Sequence, residues 1–405
     1  MTAYIDAHRL VLQGLNERKL FKLMDVSDTE FIQFLQKIGL LNSKKTCDGC
    51  GEQMFDRWRK KRNDRYRIWR CYKHGCKKEK GFFVGTFFEG AKLEPKQVFW
   101  ILYKWSRGYT KQKDLIFEST RESGKREGKS LSSSTIVDWL NFCRDIAAIW
   151  CSSYNSKIGG PAKIVEIDET VITKRKYNRG RLVKEQIWLF GGVERGGTAC
   201  FLVMLVDYNG NSLPRNAATL LPIIQRYVIP GSTIMSDCWP AYGGIQNLPE
   251  AYQYLKVNHT YNFVDPDTGA HTQTIESTWQ KLKQKHKERY GTNRKLFGTY
   301  IVEFLFRRKF NGPDMLYHMC QFITKHYPVE IDERMITVPK ENAEADVPNQ
   351  SLGFLEDLDF DPNNPEHVED VMEHLEDDSF EFMDVDEFFA DDYQVEEFNF
   401  ENLYE

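Results

Sequence analysis

The chain has 405 residues, 41% of them apolar, which is material for ordinary cores in about two or three domains. It holds no stretch of apolar residues long enough to span a membrane, and its start, Met1 to Arg9, lacks a signal-peptide core, so the expectation is an intracellular protein without membrane contact. The net charge of −4 hides a division: 24 acids and no Lys or Arg follow Lys340, which leaves residues 1–340 with 55 bases against 35 acids, a net of +20 that suits a polyanion partner.

Residues 1–45 read as a helical segment. Phe31, Phe34, Leu35 and Ile38 follow a helical period, and Ser27 or Asp28 stands where an N-cap belongs. Residues 46–90 read as a zinc ribbon. Cys47-Asp-Gly-Cys50 is followed, twenty residues later, by Cys71-Tyr-Lys-His-Gly-Cys76. Two such knuckles can offer four thiolates to one tetrahedral Zn²⁺, and a segment this short gains its stability from metal. The second knuckle is wider than usual. His74 stands at the usual gap and is the alternative to Cys76 as fourth ligand. The other cysteines (Cys143, Cys151, Cys200, Cys238 and Cys320) are scattered, a pattern of a reducing compartment with one metal site and no disulfide framework.

Between the knuckles, Arg57, Arg59, Lys60, Lys61, Arg62, Arg65, Arg67 and Arg70 are interleaved with Trp58, Tyr66 and Trp69. A basic ribbon of this kind suits phosphate contact. It could also serve as a nuclear import signal.

Residues 91–155 read as a helical, DNA-binding region. Pro95 to Arg107 carries Val98, Ile101, Leu102 and Trp105 on one side, and Gly108 ends it. A shorter helical piece covers Lys111 to Ser119. Ser133 or Ser134 caps a third helix with Ile136, Val137, Leu140, Cys143 and Ile146 as its stripe. The set fits a helix-turn-helix arrangement or a plain bundle. Glu122 to Ser130 reads as a polar loop.

From Lys163 the pattern turns to strands. Ile164–Asp168, Gln186–Val193, Ala199–Val206, Ser232–Asp237 and Tyr254–His259 read as strands, with a helix around Leu220 to Tyr227 and another from about Thr274. This order over residues 160–312 describes an α/β layer fold with a mixed sheet.

Three acids stand at element ends there. Asp168 closes the first strand, with Glu166 on its face and Glu169 opposite. Asp237 closes the fourth strand, which is expected beside the first. Glu276 lies in the first turn of a helix capped by Thr272 or Thr274, where the dipole favours it. Ile275, Trp279 and Leu282 face the core on that helix, while Gln280 and Lys283 share the face of Glu276 and can touch a phosphate. Converging carboxylates of this kind hold paired Mg²⁺ or Mn²⁺ ions, which clamp the attacking and leaving oxygens of a phosphoryl transfer. Asp207, Asp265, Asp267 and Glu169 compete for the same role.

Leu296, Phe297, Tyr300, Ile301, Phe304 and Leu305 form an apolar helix stripe expected to cover the sheet, with Arg307 and Arg308 at its basic end. Residues 313–340 hold a C-terminal helix with Met315, Leu316, Met319 and Phe322. Residues 341–405 are acidic and mixed with Phe, Leu and Tyr, a composition of disordered tails. Such a tail could also mimic DNA on the basic body, or bind a partner.

Val165-Glu-Ile-Asp168-Glu-Thr, Ser236-Asp237-Cys-Trp-Pro-Ala-Tyr242, Val257-Asn-His259 and His271-Thr-Gln-Thr-Ile-Glu276-Ser-Thr-Trp-Gln-Lys-Leu-Lys resemble the Merlin-type DDE transposases and related bacterial insertion-sequence transposases. The likeness covers residues 163–310, with a zinc knuckle ahead of it. It implies a ribonuclease H-like fold, Mg²⁺ or Mn²⁺ dependence, and catalytic roles for Asp168, Asp237 and Glu276. Asp168 would bridge two ions, and the other two acids would take one each. His259 and His271 match family positions of architecture or DNA contact. The wide second knuckle and the acidic tail depart from the pattern.

The reading that follows is a cut-and-paste DNA transposase that nicks element ends and joins the 3′ hydroxyl to target DNA. It implies two Mg²⁺ and one Zn²⁺, terminal inverted repeats and target DNA as partners, and a homo-oligomer. The nucleus is its place in a eukaryote, or the cytoplasm with the nucleoid in a bacterium. Two alternatives remain: a host-adopted DNA-binding protein that no longer cuts, and a metal-dependent nuclease without strand transfer.

Overall fold

The computed structural model describes residues 9–332, except 62–63, 121–127, 154–156, 173–185, 208–209, 259–263, 267–268 and 290–295. The chain divides after Ile336 into two units, and every described residue belongs to the first. The acidic segment 341–405 lies outside the described residues, as do Arg62, Asp267 and His259 and the side chain of Lys61.

The first helices are α1 (Arg9–Gln13), α2 (Glu17–Asp25) and α3 (Asp28–Lys37). Of the two expected caps, Ser27 is the one used. Its hydroxyl accepts from the Glu30 amide while Glu30 reaches back to the Ser27 amide, a reciprocal box that fixes where α3 begins. The expected apolar side, Phe31, Phe34, Leu35 and Ile38, is buried.

An antiparallel ribbon follows, in the order β1 (Lys45–Thr46), β2 (Gln53–Lys61), β3 (Asp64–Cys71) and β4 (Glu79–Gly81). Next come α4 (Pro95–Ser106), α5 (Gln112–Glu118) and α6 (Ser133–Ser153). Gly108 stops α4 because only a glycine takes its φ of +81° without strain.

A short β5 (Ile158–Gly159) leads into β6 (Ile164–Val171), β7 (Trp188–Glu194) and β8 (Cys200–Met204). Helix α7 (Ala217–Tyr227), β9 (Val228–Ile229), β10 (Thr233–Asp237), a 3₁₀ segment (Pro240–Asn247) and β11 (Gln253–Val257) complete the layer. The sheet order is β11-β10-β6-β7-β8. β10 runs parallel to β6 and β11, while β7 is antiparallel to β6 and β8. The expected mixed α/β sheet is therefore present, with the fourth strand beside the first.

Alternation along β6 and β7 splits the core between two faces. Val165, Ile167 and Phe190 pack with Phe201, Leu220, Ile224, Ile234, Tyr242 and Ile245 under α7 and the 3₁₀ segment. Leu189, Val193 and Leu202 pack with Ile275, Trp279 and Leu282 of α8 (Gln273–Glu288), and with Phe297 and Ile301 of α9 (Phe297–Lys309). Each such side chain fully withdrawn from water stabilises the fold by roughly 1.5–3 kcal/mol before entropy is counted. The α9 stripe covers the sheet as expected, with one correction. Leu296 precedes the helix and is exposed, so it is not part of the stripe.

Aromatic rings link α9 to α6 on one side and to helix α10 (Met315–His326) on the other. Phe306 of α9 touches Trp150 of α6 at 5.5 Å and Phe322 of α10 at 6.0 Å between centroids. Buried Glu303 of α9 meets Arg307 at 2.9 Å, Arg289 at 3.7 Å and Arg144 of α6 at 3.8 Å. Arg307 is thus tied inward, its guanidinium also donating to the Trp105 carbonyl at 2.7 Å.

Candidate active site and metal centre

Asp168 was expected at a strand end. It lies inside β6 instead, because pairing with β7 continues through Asp168–Gly191 as far as Val171–Trp188. The strand that ends is β10. Its pairing with β6 runs to Met235–Glu166, two residues short of Asp237 and Asp168 on their strands. The two acids therefore sit where β10 stops pairing with β6, and each is half-buried.

Burial, together with the charges of Glu169 and Asp237, pushes the Asp168 carboxyl up to about 7, against the pull of the Glu169 amide and Trp279. Glu169 is raised chiefly by burial, with Asp237 adding to the effect and the Tyr242 hydroxyl and Arg215 opposing it. Among the described residues, no Lys, Arg or His forms an ion pair with Asp168 or Asp237. Crowded carboxylates without a basic partner are the donor chemistry of a hard divalent cation.

Helix α8 brings the third acid. Glu276 lies in its first turn and is exposed, and its Oε1 accepts from the Thr272 hydroxyl at 2.8 Å. Thr272 is the N-cap residue but makes no side-chain bond to the helix amides. Glu166 does that work from across the fold. It is fully buried, and accepts from the Thr274 amide at 2.8 Å, the Ile275 amide at 3.0 Å and the Thr274 hydroxyl at 2.9 Å. Arg195 closes the cluster, donating from Nε to Glu166 at 2.8 Å and from Nη2 to the His271 carbonyl at 3.1 Å. His271 Nδ1 lies 3.5 Å from Glu166, so this histidine belongs to the anchor of α8.

Trp279, one turn beyond Glu276, donates its indole N–H to Asp168 Oδ2 at 3.0 Å. Gly191 makes this reach possible. It pairs with Asp168, and a Cβ there would stand 2.6 Å from the Trp279 ring. A glycine inside a strand often marks such a close approach. Gln280 is exposed and Lys283 half-buried on the same helix.

Next to Asp168 in the chain, Glu169 Oε1 is buried, as is the Tyr242 hydroxyl that acts on it. Burial, and then the charge and hydrogen bonding of Glu169, raise the Tyr242 hydroxyl well above its ordinary value.

The second donor set is in the ribbon. Cys47, Cys50, Cys71 and Cys76 hold their sulfurs within 4.8 Å of one another, the one group of three or more such donors at that spacing among the described residues. His74 is not part of it, so Cys76 is the fourth donor. Cys47 and Cys76 are 3.6 Å apart, and Cys50 and Cys71 3.5 Å. Two thiolates on one tetrahedral Zn²⁺ stand about 3.8 Å apart, given Zn–S of roughly 2.3 Å, so the cysteines fit that ion. The Gly49 amide helps hold the Cys47 thiol at about 7. Asp168, Asp237 and Glu276 do not share a spacing that tight.

Of the ribbon's expected DNA contacts, Arg57, Arg59, Lys60 and Arg65 are exposed. Arg67 is not available in the same way. It is ion-paired with Asp56 and lies 4.4 Å over the Phe82 ring. Arg59 also pairs with Glu79.

Comparison with known proteins adds to this geometry. Residues 159–309 match the family model described as the ISXO2-like transposase domain, a span that holds Asp168, Asp237 and Glu276. The Male abnormal protein mab-31 of Caenorhabditis elegans is 28% identical over 303 residues, which is 69% of this chain. The match spans 64% of that relative's length. A chain in the structure of the simian T-cell lymphotropic virus intasome in complex with PP2A regulatory subunit B56 gamma is 15% identical, over 44% of this chain and 58% of that one, with a TM-score of 0.23. So loose a superposition supports nothing further. Residues 159–309 carry a transposase-related domain.

Proposed function

We propose that this protein is a DNA transposase of the Merlin type, with a ribonuclease H-like catalytic domain acting by two-metal phosphoryl transfer. The observation that supports it is the crowding of Asp168 and Asp237 at the end of the β10–β6 pairing, beside the helix that carries Glu276, inside a transposase-related span. The mixed sheet is consistent with that fold.

In this reading Asp168, Asp237 and Glu276 hold two Mg²⁺ or Mn²⁺ ions. The ions supply Lewis acidity and a more acidic bound water when present. The chain supplies position. Trp279 holds one oxygen of Asp168 and so sets the direction in which the carboxylate faces. Glu166 and Arg195 fix the start of α8, and so the direction from which Glu276 approaches. Gln280, Lys283 and the exposed cations of the ribbon meet phosphates of the bound DNA. The zinc ribbon and the helices of residues 91–155 hold terminal repeats, and a homo-oligomer, in the nucleus of a eukaryotic cell, joins two ends.

The test is strand joining. The full chain is incubated with Mn²⁺, a precleaved duplex bearing a free 3′ hydroxyl, and a target plasmid. Joined products that Asp168→Asn abolishes support the reading. Nicking without joining points to a nuclease. A second reading, a host-adopted DNA-binding protein, has in its favour a relative named as a male abnormal protein and not as a transposase. Under that reading Asp168→Asn keeps the full biological effect.

A further inference from the structure

One cluster beside the acids has no part in the roles given so far. Arg215, just ahead of α7, lies between two indoles. Its guanidinium carbon is 3.5 Å from the Trp188 ring centroid and 5.1 Å from that of Trp239. Three separate segments meet there. Trp188 opens β7 opposite Val171 of β6, and Trp239 stands two residues beyond Asp237.

Trp239 is fixed at both ends. Its amide donates to Asp237 Oδ1 at 2.9 Å, and its indole N–H donates to the Arg215 carbonyl at 3.3 Å. The residue is nevertheless 39% exposed. A large apolar ring held rigidly and left in water next to an acidic site has a surface to offer.

Arg215 is suited to the same partner. Stacking uses the faces of the guanidinium and leaves its edge donors pointing outward. Among the described residues those donors make no hydrogen bond and no ion pair. Arg215 also acts on Glu169, its charge drawing that carboxyl down against the effect of burial. A positive fork beside carboxylates fits a ligand that is anionic at one point and aromatic at the next. A nucleotide of a single strand has that form.

We infer that Trp239 and Arg215 form a binding site for an unpaired nucleotide next to the acids: the exposed indole stacks on the base, and the guanidinium edge takes the phosphate beside it. Trp188 braces Arg215 from behind. The inference rests on the DNA-processing reading and deepens it, since it gives the site a preference for frayed or overhanging ends over closed duplex.

The test compares the full chain's binding to two DNA probes at one fixed salt concentration: a blunt duplex, and the same duplex with a short single-stranded overhang carrying 2-aminopurine. Base stacking on an aromatic contributes roughly 1–3 kcal/mol, so the overhang probe is expected to bind about tenfold tighter, with quenched 2-aminopurine fluorescence. Trp239→Ala is expected to erase that preference and the quenching while blunt-duplex binding stays within about twofold. Arg215→Lys, which keeps the charge and loses the fork, is expected to weaken overhang binding more than blunt binding. Trp239→Phe, which keeps a ring, is expected to restore most of the preference and guards against loss of fold as the cause. Equal binding of the two probes by the native chain, or a preference untouched by Trp239→Ala, overturns the inference and leaves the DNA-processing reading standing. Binding to neither probe overturns both.

Discussion

An aspartate in the middle of a strand, half-covered and beside two other acids, is an expensive residue to keep. The raised Asp168 carboxyl has a consequence for stability. A folded-state value near 7 lies above the unfolded value, so the stability linked to this group is fully present below the unfolded value, near pH 3.8, and is lost as pH rises through about 7. Asp168→Asn removes the ionisable group. In metal-free buffer it is expected to raise the melting temperature by roughly a few degrees at pH 8 and to leave it unchanged at pH 3.5, as scanning calorimetry at the two values would show. A gain of the same size at both values would mean that burial does not act on this charge. The motif Val-Glu-Ile-Asp-Glu-Thr made Asp168 visible in the sequence, but not its place within β6. The polar pair Glu169-Thr170 looks like the end of a strand, and only the partner β7 shows that the strand goes on.

Helix α8 owes its position to groups distant in sequence, and this is where sequence reading falls shortest. Glu166 reads as one more acid on an alternating strand. A charge at a core position nevertheless calls for a partner, and that was the available signal. Its partners are the α8 amides and Arg195. Glu166→Ala leaves those donors buried and unanswered, and is expected to cost about 3–5 kcal/mol in urea unfolding, whereas Glu166→Gln, which keeps an acceptor, costs less. Gly191 carries a second element-scale prediction. A Val there collides with Trp279 and pushes α8 off the sheet, so Gly191→Val is expected to lower stability and to impair strand joining together. The presence and order of the five sheet strands, by contrast, were legible, though their ends were off by up to three residues, because β-branched runs bounded by turn residues have few other homes. The Trp188–Arg215–Trp239 stack was not, since its members come from three segments that share no period.

Across the molecule, metal is expected at two places with different work. The four cysteines are spaced to hold a structural ion. One zinc per chain is expected by elemental analysis of the purified protein, with Cys47→Ser losing it and His74→Ala keeping it. Loss of zinc from His74→Ala would return the fourth position to that histidine. No helix among the described residues is long and apolar enough to cross a membrane, and the +20 charge of residues 1–340 favours a nucleic acid as the large partner. The acidic site is the part on which the catalytic account depends. Its most direct measurement is Mn²⁺ binding to the full chain, followed by the loss of the free-ion electron paramagnetic resonance signal, with and without DNA. The account predicts saturable binding, tighter with DNA, that falls about tenfold or more in each of Asp168→Asn, Asp237→Asn and Glu276→Gln. Binding that all three substitutions leave unchanged, or no binding even on DNA, would contradict it.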